Sequence, residues 1–348
     1  MKIAIVANPY YPVPPAMYGG TERVIYYLIK GLKESGHQPI LLASGDSKVD
    51  CELIPICQQS IPFPKKTSSH FRLAIRRALR QTKQELEKLA PSVDIIHSHD
   101  FDLKDFQNYP NVTTIHGHVG FENLPYFQER QDQFFISISK NQQASFPSLK
   151  FAGVAYNGLN PEEFPLVRTP ENYLCFFGRF DFDKSPHLAI QLALALGMRI
   201  KLAGKIDLGG YAYFKQEIEP YLKHPLVEYL GEIPTEEIID LASHARCNTH
   251  PLLGRREPFG LTVIEAAYCG TPTLAIKRGS MPELIEEGKT GVLVEDFIEG
   301  YHKIERCFAL NRRYIAERAR ERFNYKKMTS SYLRAYKKVL KMHRAKHK

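Results

Sequence analysis

A chain of 348 residues, 43% apolar and 24% charged, is too long for one ordinary core and suits two domains of roughly 150–170 residues each. No apolar run approaches the ~20 residues that span a bilayer, residues 1–7 are too short for a signal-peptide core, and the six cysteines form no CxxC pair, which points to a reducing cytoplasm and away from membrane-spanning, metal-knuckle or disulfide-framework proteins. The net charge of +9 comes from two segments, 65–84 and 334–348, each with seven Lys/Arg and no acid; without those fourteen the chain has 33 basic and 38 acidic residues, and no stacking aromatics accompany the basic runs as a nucleic-acid binder would require.

Short β-branched or apolar runs alternate with helix-period segments along the chain. In the first half the strand-like runs are 2–7, 39–43, 93–97, 112–116 and 134–139; in the second they are 173–177, 199–203, 227–230, 247–250, 273–276 and 292–294. Helices are expected at 21–35, 70–90, 186–197, 211–222, 235–244, 260–269 and 298–322. Alternating βα units imply parallel sheets covered by helices on both faces. A Pro-, Gly- and Glu-rich stretch at 157–172 separates two such series. The reading is an α/β chain of two doubly wound, Rossmann-like domains, 1–160 and 161–325, with a basic amphipathic helix at 326–348 packing back on the first. In such folds ligands bind beyond the carboxyl ends of strands, so a central cleft that both domains face is the default site.

After the first strand comes a Pro-rich loop, 8–18, and then Gly19-Gly20-Thr21-Glu22 opens a helix. Glycines there leave backbone N–H groups open to an anion; a plain strand–helix turn explains them equally. His97, His99, His116 and His118 all stand at strand ends, suited to hydrogen bonding a polar substrate. A zinc site from two loops is the rival, without HExxH or clustered cysteines to support it. Asp100-x-Asp102 and Asp181-x-Asp183 have the form of a metal-diphosphate motif, a form that arises by chance among 38 acids.

Arg179 and Lys184 follow the strand at 173–177. A guanidinium and an ammonium beyond a strand's carboxyl end suit a diphosphate, whose departure builds negative charge; two solvated surface charges are the plain alternative. The densest signal is EPFGLTVIE, Glu257 to Glu265. Glu257 precedes a helix whose first N–H groups (Phe259, Gly260, Leu261, Thr262) are expected to be free for an anion or hydroxyl. Glu265 shares a helix face with Leu261 and Tyr268, so it is either at the core edge or paired with donors such as sugar hydroxyls. Ala266, Ala267 and Gly270 would let this helix lie close to a sheet.

These residues resemble the retaining glycosyltransferases of family 4, which have the two-domain GT-B fold and a Glu-x7-Glu signature, here Glu257 and Glu265. The resemblance runs through nearly the whole chain: Gly19-Gly20, His116 in Thr-Ile-His-Gly-His, Asn157-Gly158-Leu-Asn160, Arg179 with Lys184, and the run from Pro272 to Leu293 fall in the family's order. It implies a hexose transferred with retention from a nucleotide-sugar donor, UDP-glucose as the commonest case, to an acceptor hydroxyl on a small molecule, glycan or lipid. By it, Glu257 holds sugar hydroxyls, Glu265 the ribose, Arg179 and Lys184 the diphosphate, and the backbone of 259–262 completes the pocket, while His116 touches the sugar near its reacting carbon. Neither cofactor nor metal is required, and no nucleic acid is involved. Ser185 replaces the glycine usual after the clamp lysine, a change its backbone should tolerate. An epimerase of the same fold and a non-catalytic nucleotide-sugar sensor are the alternatives. The helix at 70–90 carries an apolar stripe (Phe71, Ile75, Leu79, Leu86, Leu89) flanked by Arg72, Arg76, Arg77, Arg80 and Lys83. It reads either as an ordinary domain helix or as a peripheral contact with an anionic membrane at its inner face.

Overall fold

The computed structural model describes all residues except Tyr18, Lys65, Lys66, 119–122, Asp207, Leu208, Arg255, Arg256 and 347–348. Lys65, Lys66 and Lys348 of the two basic segments therefore lie outside the described residues. The chain divides into two compact units: Met1–Pro15, Gly19–Leu159 and Tyr325–Lys348 form the first, and Ala16–Tyr18 with Asn160–Asn324 the second.

In the first unit the order is β1 (Lys2–Val6), α1 (Gly20–Glu34), β2 (Gln38–Ser44), β3 (Glu52–Cys57), α2 (Ser69–Leu89), β4 (Ile95–Ser98), β5 (Asn111–Ile115), α3 (Leu124–Gln128), β6 (Phe134–Ser137), α4 (Lys140–Ala144) and β7 (Lys150–Val154). Its sheet is parallel throughout, in the order β3-β2-β1-β4-β5-β6-β7. In the second unit come β8 (Tyr173–Phe177), α5 (Pro186–Ala195), β9 (Arg199–Ala203), α6 (Tyr211–Tyr213), β10 (Val227–Tyr229), α7 (Thr235–His244), β11 (Cys247–His250), α8 (Leu261–Tyr268), β12 (Thr273–Ile276), α9 (Met281–Leu284), β13 (Gly291–Val294), α10 (Phe297–Phe308) and α11 (Arg312–Phe323). Its parallel sheet runs β10-β9-β8-β11-β12-β13. The last helix, α12 (Tyr325–Lys346), packs on α1 and on the β5–β7 side of the first sheet.

Two strands were not expected from the sequence, and both are edges. β3 contains Pro55 and β7 contains Gly153, residues that weaken a strand pattern and are tolerated at a sheet's margin. The helix expected at 298–322 is two helices. The first ends at Phe308 with Ala309 as its cap, and Asn311 caps the second, its side chain accepting from the Tyr314 N–H at 3.1 Å. The helix expected at 211–222 breaks into the short α6, a wide π turn at Phe214–Ile218 and a 3-10 turn at Glu219–Tyr221, where Pro220 withholds an N–H.

In each sheet the strand order reverses once, between β1 and β4 and between β8 and β11. At such a reversal the loops leaving neighbouring strands turn to opposite faces, leaving a crevice at the carboxyl edge. The loops that start at Ala7, His99, Gly178 and Pro251 all leave from those four strands.

α12 is tied to the first sheet by a buried polar chain. His97, fully buried on β4, accepts through Nδ1 from the Tyr336 hydroxyl at 2.7 Å, and its Nε2–H then donates to Thr114 Oγ1 at 2.7 Å. Thr114 in turn reaches the Tyr332 hydroxyl at 3.4 Å. Burial pushes the imidazole down to about 3, so it is neutral in the fold. An unfolded histidine takes its proton near 6.5, so between about 6.5 and 3 the unfolded chain binds more protons and stability falls as pH falls. His97 alone should contribute a loss of about 1.4 kcal/mol per pH unit across that window. Unfolding free energies from urea titrations between pH 6.5 and pH 4 should fall less steeply in a His97→Gln variant, by about 1.4 kcal/mol per pH unit; equal slopes would show that His97 is not held neutral.

Candidate active site

The second unit's reversal brings together residues from two loops. The loop after β8 is fixed by backbone pairing to its neighbours. Gly178 N donates to Ala203 O at 3.0 Å, Phe180 N to Lys205 O at 2.9 Å, and Gly204 N to Gly231 O at 2.7 Å. A Cβ on Gly204 would lie 1.7 Å from the Gly178 carbonyl oxygen, so only glycine permits this approach. Phe180, fully buried, packs on Phe176, Phe214 and Tyr229. Arg179 is thus carried between two anchored residues, partly exposed, with Nη1 3.3 Å from Asp181 Oδ2.

Asp181 also accepts from the Lys184 backbone N–H at 2.8 Å, which closes the turn that aims Lys184. Ser185 follows in the left-handed region, φ 50°, at the start of α5. That conformation explains why glycine suits the position, and it strains a serine by about 1 kcal/mol. The Ser185 hydroxyl, donating to Phe182 O at 2.5 Å, helps to hold it there.

The second loop leaves β11 and reaches Glu257. Lys184 Nζ forms an ion pair with Glu257 Oε2, both side chains largely buried at 19% and 10% exposure. Burial pushes the Lys184 ammonium down to about 8, and the Arg179 charge acts in the same direction. The Glu257 carboxylate in contact with it opposes that shift and favours the charged form. Ser280 clamps this segment on both sides, its N–H donating to Glu257 O at 3.1 Å and its hydroxyl to Phe259 O.

α8 begins at Leu261 rather than at Phe259, because Gly260 is left-handed at φ 103° and serves as its cap. A Cβ there would meet Met281 Cε at 2.8 Å. Leu261 and Thr262 therefore lie in the first turn, partly exposed, whereas Phe259 is a buried anchor against Phe323 and Gly260 precedes the helix. Glu265 is 4% exposed on α8. Gly270 does not serve approach to the sheet: a Cβ there would meet Arg312 O at 2.6 Å, so it lets α11 close on this end of α8.

The first unit's reversal carries the histidines. His99, 3% exposed, and the partly buried His116 are joined by a 2.7 Å bond between Nδ1 and Nε2. Burial lowers His116 to about 4; it lowers His99 as well, with the His97 and His116 rings adding to the shift, so both are neutral. One ring must donate and the other accept, which fixes their mutual orientation. Gln142 on α4, which the sequence did not single out, holds the His116 loop. Its amide donates to Ile115 O at 3.0 Å and Gly117 O at 2.9 Å.

Several sequence expectations are corrected here. His97 is a structural tie, as described, and does not face a substrate. Asp102 forms a two-toothed pair with buried Arg130, at 3.0 and 2.5 Å, and Asp181 pairs with Arg179 and accepts from the Lys184 N–H. Among the described residues no three His, Cys, Asp or Glu are grouped as metal ligands would be. The space beside Gly19 is filled by its own chain, since a Cβ would meet Pro15 Cγ at 2.6 Å and Glu22 Oε2 at 2.9 Å. Gly20 is the first residue of α1. Glu22, in that first turn, is buried, accepts from Asn8 Nδ2 at 2.6 Å, and has its pKa raised chiefly by burial. Arg255, next to the Glu257 segment, lies outside the described residues.

Residues 162–338 match the family model for glycosyl transferases group 1, and residues 18–152 that for glycosyltransferase family 4. Among sequence relatives, a glycogen synthase of Mycobacterium tuberculosis is 24% identical, with 84% of this chain and 82% of the relative aligned. An uncharacterised glycosyltransferase of Methanocaldococcus jannaschii is also 24% identical over 84% of this chain and 85% of its own length. Among solved structures, a sucrose-phosphate synthase of Thermosynechococcus elongatus superposes with a TM-score of 0.78 at 18% identity, covering 98% of this chain and 99% of that one. HepE of Anabaena, solved in complex with UDP-glucose, gives 0.70 at 18% identity, covering 96% and 99%. The first match spans half of the chain and the structures share both sheets: the chain belongs to the group 1 glycosyl transferases of family 4, with the GT-B fold, and is a glycosyltransferase.

Proposed function

We propose that the protein transfers a hexose, with retention and without a metal ion, from a UDP-sugar, UDP-glucose first, to an acceptor hydroxyl. The observation that carries this reading is the convergence of Arg179, Lys184 and Glu257 at the β8/β11 reversal. Two fixed cations there suit a diphosphate whose charge grows as it leaves, and the adjacent carboxylate suits sugar hydroxyls. Glu265 takes the ribose hydroxyls, and the backbone from Phe259 through Gly260 and Leu261 to Thr262 completes the donor pocket. His116, neutral and held by His99 and Gln142, takes the role near the reacting carbon that the family resemblance gives it. Gly19 and Gly20, at the start of α1, take the donor-binding role the resemblance gives them. Front-side attack, with the leaving phosphate taking the acceptor's proton, needs no second carboxylate at glycosidase spacing. UDP-glucose is favoured because HepE was solved with it.

A thermal-shift screen with UDP, GDP, ADP and their sugar conjugates, in EDTA, tests the donor assignment. A responder at a hundred times its dissociation constant adds about 2.7 kcal/mol, a shift of a few degrees. UDP-glucose should respond; silence from all of them in folded protein would remove the assignment. Binding without turnover would favour the sensor, and interconversion of the free sugar nucleotide the epimerase.

Replacing Arg179 or Lys184 by Ala should lower release of the nucleoside diphosphate roughly 10²–10³-fold, as loss of one preorganised charge contact does. Near-normal rates in either variant would mean that the diphosphate lies elsewhere.

The acceptor side is proposed to include peripheral contact with an anionic membrane at the cytoplasmic face. α2 buries only Ala78, Thr82 and Leu86 and leaves Phe71 and Ile75 half-buried. Leu79 departs from the expected stripe: it is 41% exposed, as Leu73 is at 46%, among the outward Arg72, Arg76, Arg77 and Arg80. No described helix is long and apolar enough to cross a membrane, so any contact of this kind is at the surface. The protein should sediment with phosphatidylcholine vesicles containing phosphatidylglycerol at low salt, and Arg76→Glu/Arg77→Glu should weaken this, each basic residue being worth about 1 kcal/mol. Indifference to those vesicles at low salt would end the idea.

A further inference from the structure

β11 ends in His250, and the loop that leaves it reaches Glu257. The His250 ring is 5% exposed, and its Nε2 is buried without a hydrogen-bond partner among the described residues. That atom lies 3.5 Å from Glu257 Oε2, close enough to be turned into a bond by a small movement. The same Glu257 oxygen is now held by Lys184. Lys184 cannot turn fully to a diphosphate and keep this ion pair, and Glu257, once released, would be a largely buried carboxylate without a counter-charge. Such a group costs several kcal/mol unless a donor reaches it. His250, already 3.5 Å away, is an idle donor in reach. Burial keeps its ring neutral, near 3, so it carries one N–H to give.

We infer that His250 is a positioning residue: when the donor's diphosphate draws Lys184 away, the His250 Nε2–H takes over Glu257 Oε2 and holds the carboxylate for the sugar hydroxyls. This rests on the reading of Glu257 as the sugar-holding and Lys184 as the diphosphate-holding residue. Its signature is a coupling between His250 and the Glu257 charge. Every ligand that carries the diphosphate draws Lys184 away, so UDP and UDP-glucose both need the His250 donor.

Titration calorimetry with UDP and with UDP-glucose, on the wild type, His250→Phe and His250→Gln, reads that coupling. In His250→Phe, UDP and UDP-glucose should both weaken about 10–100-fold, the worth of a hydrogen bond to a charged group. His250→Gln, which keeps an N–H on a side chain of similar reach, should recover most of the loss and also serves if the Phe variant fails to fold. In a Glu257→Gln background His250→Phe should weaken either ligand by less than about twofold, because the charge it holds is gone. The same loss in the Glu257→Gln background as in the wild type would make His250 a packing residue and overturn the inference, as would unchanged affinity for both ligands in His250→Phe. A wild type that binds neither UDP nor UDP-glucose would instead overturn the donor reading, and this inference with it.

Discussion

Everything of chemical interest in this chain hangs on where the strand order turns around. Parallel strands place all their carboxyl ends on one edge of a sheet, and a reversal of order is the one point at which neighbouring loops part. Here the reversals fall between β1 and β4 and between β8 and β11. Gly19, Glu22 and His99 follow the first pair, and His116 follows β5 alongside; Arg179, Lys184, His250 and Glu257 follow or end the second. Lys184 and Glu257 stand 73 positions apart, yet the loops of two neighbouring strands, β8 and β11, bring them together.

The two reversals solve different electrostatic problems. In the first unit the imidazoles of His97, His99 and His116 are kept neutral and bonded to each other or to hydroxyls, so their burial costs little charge desolvation. In the second the groups are full charges, and they are tolerated because each has an opposite partner: Arg179 beside Asp181, Lys184 against Glu257. The same logic appears away from the site. Arg312, 9% exposed, donates to the carbonyls of Val167, Ala245 and Ser243 and to Thr271 Oγ1, a buried cation paid back by four acceptors.

Much of the fold was legible because alternation between strand and helix periods is strong wherever a strand is buried on both faces. β1, β8 and β12 read as unbroken apolar runs, and both sheets could be expected from such runs. What escaped were the edges, where Pro55 and Gly153 sit and burial is partial, and the break at Asn311, which is decided by a cap rather than by periodicity. In the site, residue types that carry charge were visible, because a cation or carboxylate at a strand end has few structural reasons to be there. Residues that act by holding others were not. Gln142, Ser280 and His250 look ordinary in sequence; only contacts show that they brace His116, brace the Glu257 segment, and stand idle beside it. His97 failed in the opposite sense. Its strand-end position mimics a ligand residue, but its two partners come from β5 and from Tyr336, 239 residues away, and no local pattern announces that pairing.

The ion pair between Lys184 and Glu257 gives the second unit a closed electrostatic state of its own. With both groups satisfied by each other, the pocket needs no bound anion to be stable, and a ligand must offer more than a single carboxylate does. A diphosphate does so for Lys184 by bringing more charge, and sugar hydroxyls do so for Glu257 only if something steadies it. On the proposed reading, either half of the donor alone leaves one of the two groups under-satisfied, while the whole donor satisfies both. That makes the pair a test of ligand integrity built from two buried side chains, and it follows from the cost of leaving a charge unpaired rather than from any moving part.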